Sequence, residues 1–346
     1  MHPPVIVITG ASSGVGRALA RAYGARGARV GLVARNVEAL EACAAEIRAA
    51  GGEALVCQAD VADAAAVEHA AADVEAAWGG IDTWINNAMA TVVAPVKDMT
   101  ADEYRRVTEV TYLGYVYGTL SALGRMLPRD RGTIVQVGSA LAYRSIPLQS
   151  AYCAAKAAIR GFTDSLRSEL IHDGSAVRLT HVHLPAVNTP QSLRQRNKMP
   201  KQQQPVPPMF DPEVIASAII AAADEAPRER MLGLPTTMAV TGQKFIPGWI
   251  DRHLATAAWD PQFVDEPNTQ AGDILFDTLP GDPGAHGPYR DREQGRDTQM
   301  RLRANAGWMA AAAGLTIAGL ALCWAGGSPR LYRSAGSRRA AAAARP

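Results

Sequence analysis

The sequence has few cysteines and almost no net charge. Its 35 basic and 33 acidic residues, in a chain of 346, leave a net charge of +2, which is too small to indicate a nucleic-acid partner. The four cysteines form no CxxC pair and no metal-binding spacing; they are Cys43, Cys57, Cys153 and Cys323. Cysteines of this kind are typical of reduced thiols, so we expect a reducing compartment and no metal site.

The amino terminus lacks the features of a secretory signal. Residues 1–4 contain no basic stretch, and residues 5–8 already form a β-branched, strand-like run. Together with the cysteines, this pattern predicts a cytoplasmic protein.

Long apolar runs are absent, with one exception near the carboxyl end. No charged residue occurs between Arg303 and Arg330, and residues 306–325 would span about 30 Å as a helix, the thickness of a bilayer core. Trp308 and Trp324 stand near the two ends of this run, as in the aromatic belts of membrane proteins. The run predicts membrane insertion, with a buried helix or a dimer contact as the alternative.

Short β-branched runs alternate with longer Ala-rich segments of helical period over the first two thirds of the chain. Strands are predicted near residues 4–9, 28–34, 53–58, 81–86, 132–138, 177–184 and 229–234. Helices are predicted near residues 15–26, 37–49, 63–78, 101–127, 151–172 and 212–225. Such alternation indicates βαβ units, and it predicts an α/β fold with a doubly wound, seven-stranded parallel sheet (a Rossmann fold) and a C-terminal extension.

Composition divides the chain into five predicted segments. Residues 1–235 contain the alternating units, and residues 236–259 form an amphipathic piece broken by a Pro-Gly pair. Residues 260–303 are rich in Pro, Gly and Asp, which predicts an extended acidic linker. A transmembrane helix over 304–327 and a basic tail over 328–346 complete the chain, so the first domain would lie in the cytoplasm, tethered at its carboxyl end.

A glycine-rich turn follows the first predicted strand and opens the first predicted helix. In Thr9-Gly10-Ala11-Ser12-Ser13-Gly14-Val15-Gly16, Gly10 permits the sharp turn and Gly14 lets the backbone approach a pyrophosphate. Gly16 lets the helix pack closely on the sheet, with its amino-terminal N–H groups facing the anion. A simple strand-to-helix turn is the alternative for the glycines alone.

Further motifs stand at the ends of the later predicted strands. They are Asn86-Asn87-Ala88, Ser139, Tyr152-Cys153-Ala154-Ala155-Lys156 and Pro185-Ala186-Val187-Asn188-Thr189. With these motifs in this order, residues 4–235 resemble the short-chain dehydrogenase/reductase family. The resemblance implies a nicotinamide dinucleotide held by Gly10, Ser12, Ser13, Gly14, Val15, Gly16, Asp60, Val61, Asn87, Ala88, Tyr152, Lys156, Pro185, Val187 and Thr189.

The end of the second strand predicts which dinucleotide binds. An acid there would bind the ribose 2′-hydroxyl of NAD, but this strand ends in Arg35, with no carboxylate before Glu38. A guanidinium pairs with phosphate in bidentate fashion, so we predict NADP(H). Arg17 would add a second positive charge, or it is a solvated helix residue.

Three residues predict the chemistry. Tyr152 and Lys156 are four apart on a helix and so share one face, and an ammonium and a positively charged nicotinamide near the phenol would lower the pKa of Tyr152. Tyr152 is then the acid-base catalyst, and Ser139 orients the substrate oxygen. By resemblance, Lys156 also holds the nicotinamide ribose, and Thr111 stands where the family places an asparagine of a water relay.

Some residues admit two interpretations. His181 and His183 share a strand face, as metal ligands can, but no acid or cysteine near them in the sequence completes a site, so we interpret them as structural. Met199, Met209 and Phe210 either form an apolar substrate lid or close a hydrophobic core. Met89 replaces the usual glycine after Asn-Asn-Ala and puts a side chain near the cofactor wall.

These features predict an NADP(H)-dependent oxidoreductase that interconverts an alcohol and a carbonyl group of a lipophilic small molecule. The alternative, suggested by Thr111 and Met89, is a membrane-anchored nucleotide-binding scaffold with little or no turnover. The resemblance also implies a homo-oligomer.

Overall fold

Seven parallel strands form the central sheet of the computed structural model, which describes residues 2–295. These strands are β1 (Val5–Thr9), β2 (Arg29–Ala34), β3 (Glu53–Gln58), β4 (Thr83–Asn86), β5 (Thr133–Ser139), β6 (Arg178–Leu184) and β7 (Glu229–Met231). Their order across the sheet is β7-β6-β5-β4-β1-β2-β3, and every neighbouring pair is parallel. The predicted seven-stranded parallel sheet is confirmed.

Helices cover both faces of this sheet. They are α1 (Gly14–Gly24), α2 (Val37–Ala49), α3 (Ala64–Trp78), α4 (Ala101–Thr108), α5 (Gly114–Met126), α6 (Ser150–His172), α7 (Gln191–Arg194), α8 (Pro212–Glu225), α9 (Leu234–Phe245) and α10 (Pro247–Ala257). Helices α1, α2 and α8 pack on one face, and α3 to α6 pack on the other. Because both faces are covered, the strand side chains above and below the sheet belong to two separate hydrophobic cores.

Shorter elements connect the main ones. Two-to-five-residue strands occur at Val92–Val93, Ala186–Val187, Arg196–Asn197, Lys201–Gln203, Met209–Phe210, Phe263–Pro267 and Glu293–Gln294. Single turns occur at Val96–Asp98, Leu127–Arg129, Ala140–Ala142, Asp260–Gln262 and Arg290–Arg292, and a π-helical turn, Glu109–Leu113, joins α4 to α5. The predicted helix 101–127 therefore consists of two α-helices joined by one π-helical turn, with no break in the helical backbone. Such π-helical turns often occur at functional sites.

The strand order reverses between β1 and β4. From β1 the chain winds outward through β2 to β3 and then returns to place β4 on the other side of β1. In open α/β sheets such a reversal opens a crevice outside the carboxyl ends of the strands, because the connections on either side of it diverge. The motifs that follow β1, β4 and β5 therefore meet at one edge of the sheet.

The prediction of an extended linker after residue 259 is wrong for its described part, residues 260–295. Strand Phe263–Pro267 pairs antiparallel with Lys201–Gln203, and Glu293–Gln294 pairs with Met209–Phe210. Leu275 is only 1 % exposed and belongs to the core under α3 to α6. The composition did not reveal this packing because the strands that pair with the segment and the core that receives Leu275 come from distant parts of the chain.

The predicted transmembrane helix, 304–327, and the basic tail, 328–346, lie outside the described residues. Between residues 2 and 295 no helix is both long and apolar enough to cross a bilayer.

Leu275→Ala tests the packing of the C-terminal segment. Removing a fully buried leucine side chain leaves a cavity, so we expect the free energy of unfolding to fall by about 2–5 kcal/mol. The measurement is urea unfolding, with Leu120→Ala as the control, because Leu120 is 58 % exposed on α5. Equal, small losses in both variants would mean that residues around Leu275 do not pack as described.

Candidate functional site

A cavity of about 540 Å³ lies at the carboxyl edge of the sheet. Its wall contains most of the predicted site residues: Gly10, Ser12, Ser13, Gly14, Val15, Arg35, Asp60, Val61, Asn87, Ala88, Ser139, Tyr152, Lys156, Pro185, Val187 and Thr189. Gly16 and Thr111 are the predicted residues that do not line it. The cavity runs from Arg35 at the end of β2 to Ser139 at the end of β5.

The glycine turn brings helix α1 close to strand β1. Gly10 has φ +70°, a conformation that L side chains rarely adopt. A Cβ atom at Gly16 would lie 2.1 Å from the carbonyl oxygen of Gly10 and 2.7 Å from Nδ2 of Asn87. Gly16 therefore acts in packing rather than in the cavity wall, and any side chain there would push α1 away from the site.

The turn and the start of α1 have the chemistry of an anion site. Ser13, at the N-cap, makes no side-chain hydrogen bond to the helix, and the first turn of α1 has no acidic residue. The helix therefore presents N–H groups and a positive dipole end to the cavity. Gly14 is one exception, because its N–H donates to the carbonyl of Gly284, 3.1 Å away.

Arg35 borders the end of the cavity away from Ser139, next to Asp60. Burial lowers the pKa of Arg35, and the Asp60 carboxylate opposes that change; the guanidinium stays charged because its ordinary value is so high. Asp60 itself accepts from the N–H of Ala62, 3.0 Å away, and forms an ion pair with Arg106. Among the described residues, no carboxylate is bonded directly to Arg35, and the same holds for Arg194, which also lines the cavity and donates to the carbonyl of Leu279.

Arg17 does not face the cavity. It is 2 % exposed and forms ion pairs with Glu46 and Asp282. Burial by itself would lower the pKa of Arg17, but the hydrogen bonds that Arg17 donates to the carboxylates of Glu46 and Asp282 outweigh it and raise the value. Both of its earlier interpretations, a phosphate ligand and a solvated helix residue, are therefore wrong.

Ser139, Tyr152 and Lys156 converge at the inner end of the cavity. The phenol of Tyr152 is hydrogen-bonded to Ser139, and the Lys156 Nζ atom lies 5.7 Å from the Tyr152 ring centroid. Nζ donates to the carbonyl of Val137 at 2.7 Å and to the hydroxyl of Tyr115 at 2.9 Å. These bonds hold the lysine at the bottom of the site, where it is only 2 % exposed.

Burial controls the acidity of this group. It raises the pKa of Tyr152 above its ordinary value, although the hydrogen bond from Ser139 acts in the opposite direction. Burial also lowers the pKa of Lys156 to about 7, so much of its charge is lost near neutrality. The sequence predicted a lowered pKa for Tyr152; within the protein's own groups the direction is the reverse, because desolvation outweighs the hydrogen bond from Ser139.

The hydroxyl of Thr111 is fully used by the backbone of Ala90. It donates to the Ala90 carbonyl at 2.8 Å and accepts from the Ala90 N–H at 2.9 Å. Thr111 is completely buried in the π-helical turn. Its side chain therefore fixes the segment that lines the cavity at Ala88, Met89 and Ala90, and does not itself reach into the cavity.

His181 and His183 are buried side by side, with ring centroids 4.1 Å apart. Burial lowers the pKa of both rings, so they are neutral. Glu229 on β7 lies 3.9 Å from Nε2 of His183 and accepts from the hydroxyl of Tyr143 at 2.6 Å. The expectation that no acid lies near the pair is wrong, because β7 pairs with β6 and brings Glu229 beside it.

Of the three residues predicted as an apolar lid, Met209 and Phe210 belong to the core and Met199 is half-buried. Met209 is fully buried and Phe210 is 3 % exposed, and neither lines the cavity. Met199 does not line it either. The cavity wall also contains other apolar side chains: Leu141, Ile146, Pro205, Val206, Pro207, Pro208, Leu254, Ala257 and Ala258.

Several site residues were missed at the sequence level. Asn36 lines the cavity and caps α2 by accepting from the Ala39 N–H, and its position after a strand and before a helix is a recognisable N-cap signal. Arg194 and the C-terminal residues Ile274, Thr278, Leu279 and Pro283 also line the cavity. Nothing in their spacing marks them, because they arrive from distant parts of the chain.

The chain is similar in sequence to a family model and to several known proteins. The family model described as short chain dehydrogenase matches residues 4–200. An uncharacterized oxidoreductase, YxnA, of Bacillus subtilis is 34 % identical over 280 residues, which are 79 % of this chain and 78 % of that protein. The bovine dehydrogenase/reductase SDR family member 7B is 32 % identical over 266 residues, 73 % of this chain and 81 % of that one.

Two further similarities concern proteins with named activities. A fatty acyl-CoA reductase of Acinetobacter baylyi is 30 % identical over 239 residues, which cover 68 % of this chain and 78 % of that protein. Among solved structures, an alcohol dehydrogenase of the archaeon Thermococcus sibiricus, complexed with 5-hydroxy-NADP, matches with a TM-score of 0.57 and 27 % identity, over 67 % of this chain and 96 % of that chain.

The buried Lys156 predicts a pH-dependent stability. Its pKa is about 7 in the folded protein and 10.5 for an unperturbed lysine, so between these values the unfolded chain binds a proton that the folded protein does not. The free energy of unfolding should therefore rise with pH across this window, by an amount on the order of a few kcal/mol.

Urea unfolding between pH 6.5 and pH 10 measures this effect. We expect the rise in the wild type and in Lys97→Met, which removes an exposed lysine, and a flatter profile in Lys156→Met. Parallel profiles in all three proteins would show that Lys156 does not carry the shift.

Proposed function

This chain belongs to the short-chain dehydrogenase/reductase family and is an oxidoreductase of that family, and we propose that it uses NADP(H) to interconvert an alcohol and a carbonyl group. The observation that supports this most strongly is a single cavity with two chemically distinct ends. Ser139, Tyr152 and Lys156 stand at one end, and the glycine turn and Arg35 stand at the other.

The cavity has the donors that a dinucleotide phosphate requires. The uncapped start of α1 suits the pyrophosphate, and the Arg35 guanidinium suits the 2′-phosphate that distinguishes NADP(H). The solved alcohol dehydrogenase to which this chain is similar carries 5-hydroxy-NADP, which also favours this form. When bound, NADP(H) donates or accepts the hydride.

Tyr152 supplies the proton. Because burial raises the pKa of Tyr152, the phenol keeps its proton at neutral pH and is able to donate it to the oxygen of a carbonyl that gains a hydride at carbon. Ser139, hydrogen-bonded to the same phenol, holds that oxygen in line. In the reverse direction the alcohol proton returns to the phenolate, which a positive charge on Lys156 and on an oxidised nicotinamide would stabilise.

The substrate end of the cavity favours a lipophilic molecule. Leu141, Ile146, Val206 and Leu254 are among the apolar side chains that line the cavity, and apolar walls bind apolar substrate by excluding water. The name of the similar fatty acyl-CoA reductase points in the same direction. The homo-oligomer implied by the family resemblance stays a prediction.

Tyr152→Phe tests the acid-base role. The substitution removes the proton donor and preserves the ring, so we expect kcat to fall by about 100-fold or more while NADPH affinity changes little. The assay is NADPH oxidation against a panel of aliphatic aldehydes, ketones and acyl thioesters. Tyr117→Phe is the control, because Tyr117 is a half-buried tyrosine of α5 outside the cavity wall.

Two outcomes would contradict the proposal. Retention of near wild-type rates in Tyr152→Phe would exclude this tyrosine as the catalyst. Tight NADPH binding by the wild type without oxidation against any carbonyl would favour the scaffold without turnover.

Arg35→Ala tests the choice of cofactor. A charge-assisted hydrogen bond contributes about 1.5–3 kcal/mol, so its loss should raise the Kd for NADPH by roughly 10-fold to 100-fold. The Kd for NADH should change little, since NADH has no 2′-phosphate. Fluorescence titration of both cofactors measures the ratio, and an equal loss for the two would sink the 2′-phosphate assignment.

A further inference from the structure

Residues Asp273–Gly284, which we name the C-terminal strap, cross the outside of the cavity. Four residues of the strap line the cavity: Ile274, Thr278, Leu279 and Pro283. They do not fill the cavity, which has a volume of about 540 Å³. The strap is anchored at one point by Leu275, whose side chain is buried in the core. It therefore forms an outer wall for the space in which the proposed dinucleotide would lie.

On the side of β2, the strap engages the residues that would recognise the adenosine half. The two terminal nitrogens of Arg35 donate to the backbone carbonyls of Ile274 and Phe276. Asn36 Nδ2 donates to the carbonyls of Leu279, at 3.0 Å, and Gly281, at 3.2 Å. A guanidinium has five N–H groups, so Arg35 keeps donors for a phosphate while two carbonyls fix its plane.

On the side of α1, the strap is held by charge. Asp282 forms an ion pair with the buried Arg17, which is also bonded to Glu46 at 2.9 Å. Glu38 accepts from the N–H of Gly281 at 2.9 Å. These bonds place the strap directly over the start of α1, where Gly14 donates to the carbonyl of Gly284.

On the side of α7, the strap is bound by two arginines. Arg194 donates to the carbonyl of Leu279 at 2.9 Å, and its own carbonyl accepts from the N–H of Ile274. Arg196 pairs with Asp273 at 2.8 Å and stacks over the ring of Phe276. The strap is thus bonded to β2 and α1 on one side of the cavity and to α7 on the other.

We propose that the C-terminal strap is part of the cofactor site: it closes over the adenosine and phosphate half of bound NADP(H), positions Arg35 for the 2′-phosphate, and must open for cofactor exchange. This inference rests on the proposed function, because it needs a dinucleotide in the cavity. Ile274 and Phe276 are positioning residues, because their backbone carbonyls orient Arg35. Asp282 holds the strap on α1 through its ion pair with Arg17.

Release of NADPH tests the strap in the full-length protein. Asp282→Asn breaks the ion pair with Arg17, so we expect NADPH to dissociate about tenfold faster, since affinity changes act mainly through dissociation. Stopped-flow fluorescence measures the rate after displacement with excess NADP⁺. Asp265→Asn is the control, because it removes an exposed ion pair with Lys201 in the same C-terminal segment and away from the cavity; its release rate should stay within about twofold of wild type.

Hydrogen exchange in the wild type gives a second readout that does not depend on a variant. Saturating NADPH should slow the exchange of amides in residues 274–284 but leave residues 263–267 unchanged, because only the strap closes on the cofactor. A merely structural strap would lower the unfolding midpoint of Asp282→Asn without changing NADPH release or this protection.

The outcomes separate the strap from the proposed function. Equal release rates in wild type and Asp282→Asn, or no added protection of the strap, would overturn the strap while leaving NADPH binding established. Faster association with unchanged dissociation would also overturn it, since the strap would then be an obstruction. Failure of the wild type to bind NADPH would overturn both.

Discussion

The close contact between α1 and β1 is the constraint on which the site depends. Because Gly16 has no side chain, the helix lies against the carbonyl of Gly10 and the amide of Asn87. This contact aims the positive end of α1 at the carboxyl edge of the sheet, at the point where the strand order reverses. The remaining motifs reach the same cavity because parallel strands end at one edge.

Burial gives Tyr152 and Lys156 their chemical character. Lys156 is buried and donates hydrogen bonds to the Val137 carbonyl and the Tyr115 hydroxyl. Desolvation lowers the pKa of Lys156 to about 7. The same low-dielectric surroundings raise the pKa of Tyr152. A phenol that keeps its proton suits donation to a carbonyl oxygen. The positive charge of an oxidised cofactor would lower the pKa of the same phenol. The protein environment and the cofactor therefore have opposite effects on the same group.

The C-terminal segment changes the picture of the cofactor site. In the order of the sequence it lies far beyond the family motifs, yet its carbonyls orient Arg35 and its Asp282 neutralises Arg17. Of Arg17 and Arg35, the two arginines that the sequence offered for a phosphate, Arg17 is held by Glu46 and Asp282, whereas Arg35 lines the cavity with no carboxylate bonded to it. The sequence alone does not distinguish the two arginines, because both are positive charges near the predicted phosphate site. The structure distinguishes them, because Glu46 and Asp282 form ion pairs with Arg17 and not with Arg35.

The sequence by itself determined the alternation of strands and helices, the glycine turn and the Ser139, Tyr152 and Lys156 set, because hydrophobic period and motif spacing are local properties. Tertiary structure decided the rest. It packed Met209 and Phe210 into the core, set Glu229 beside His183, tied Thr111 to Ala90 and folded residues 260–295 over the cavity. These features depend on backbone hydrogen bonds and on desolvation between residues far apart in the chain, which no local pattern encodes.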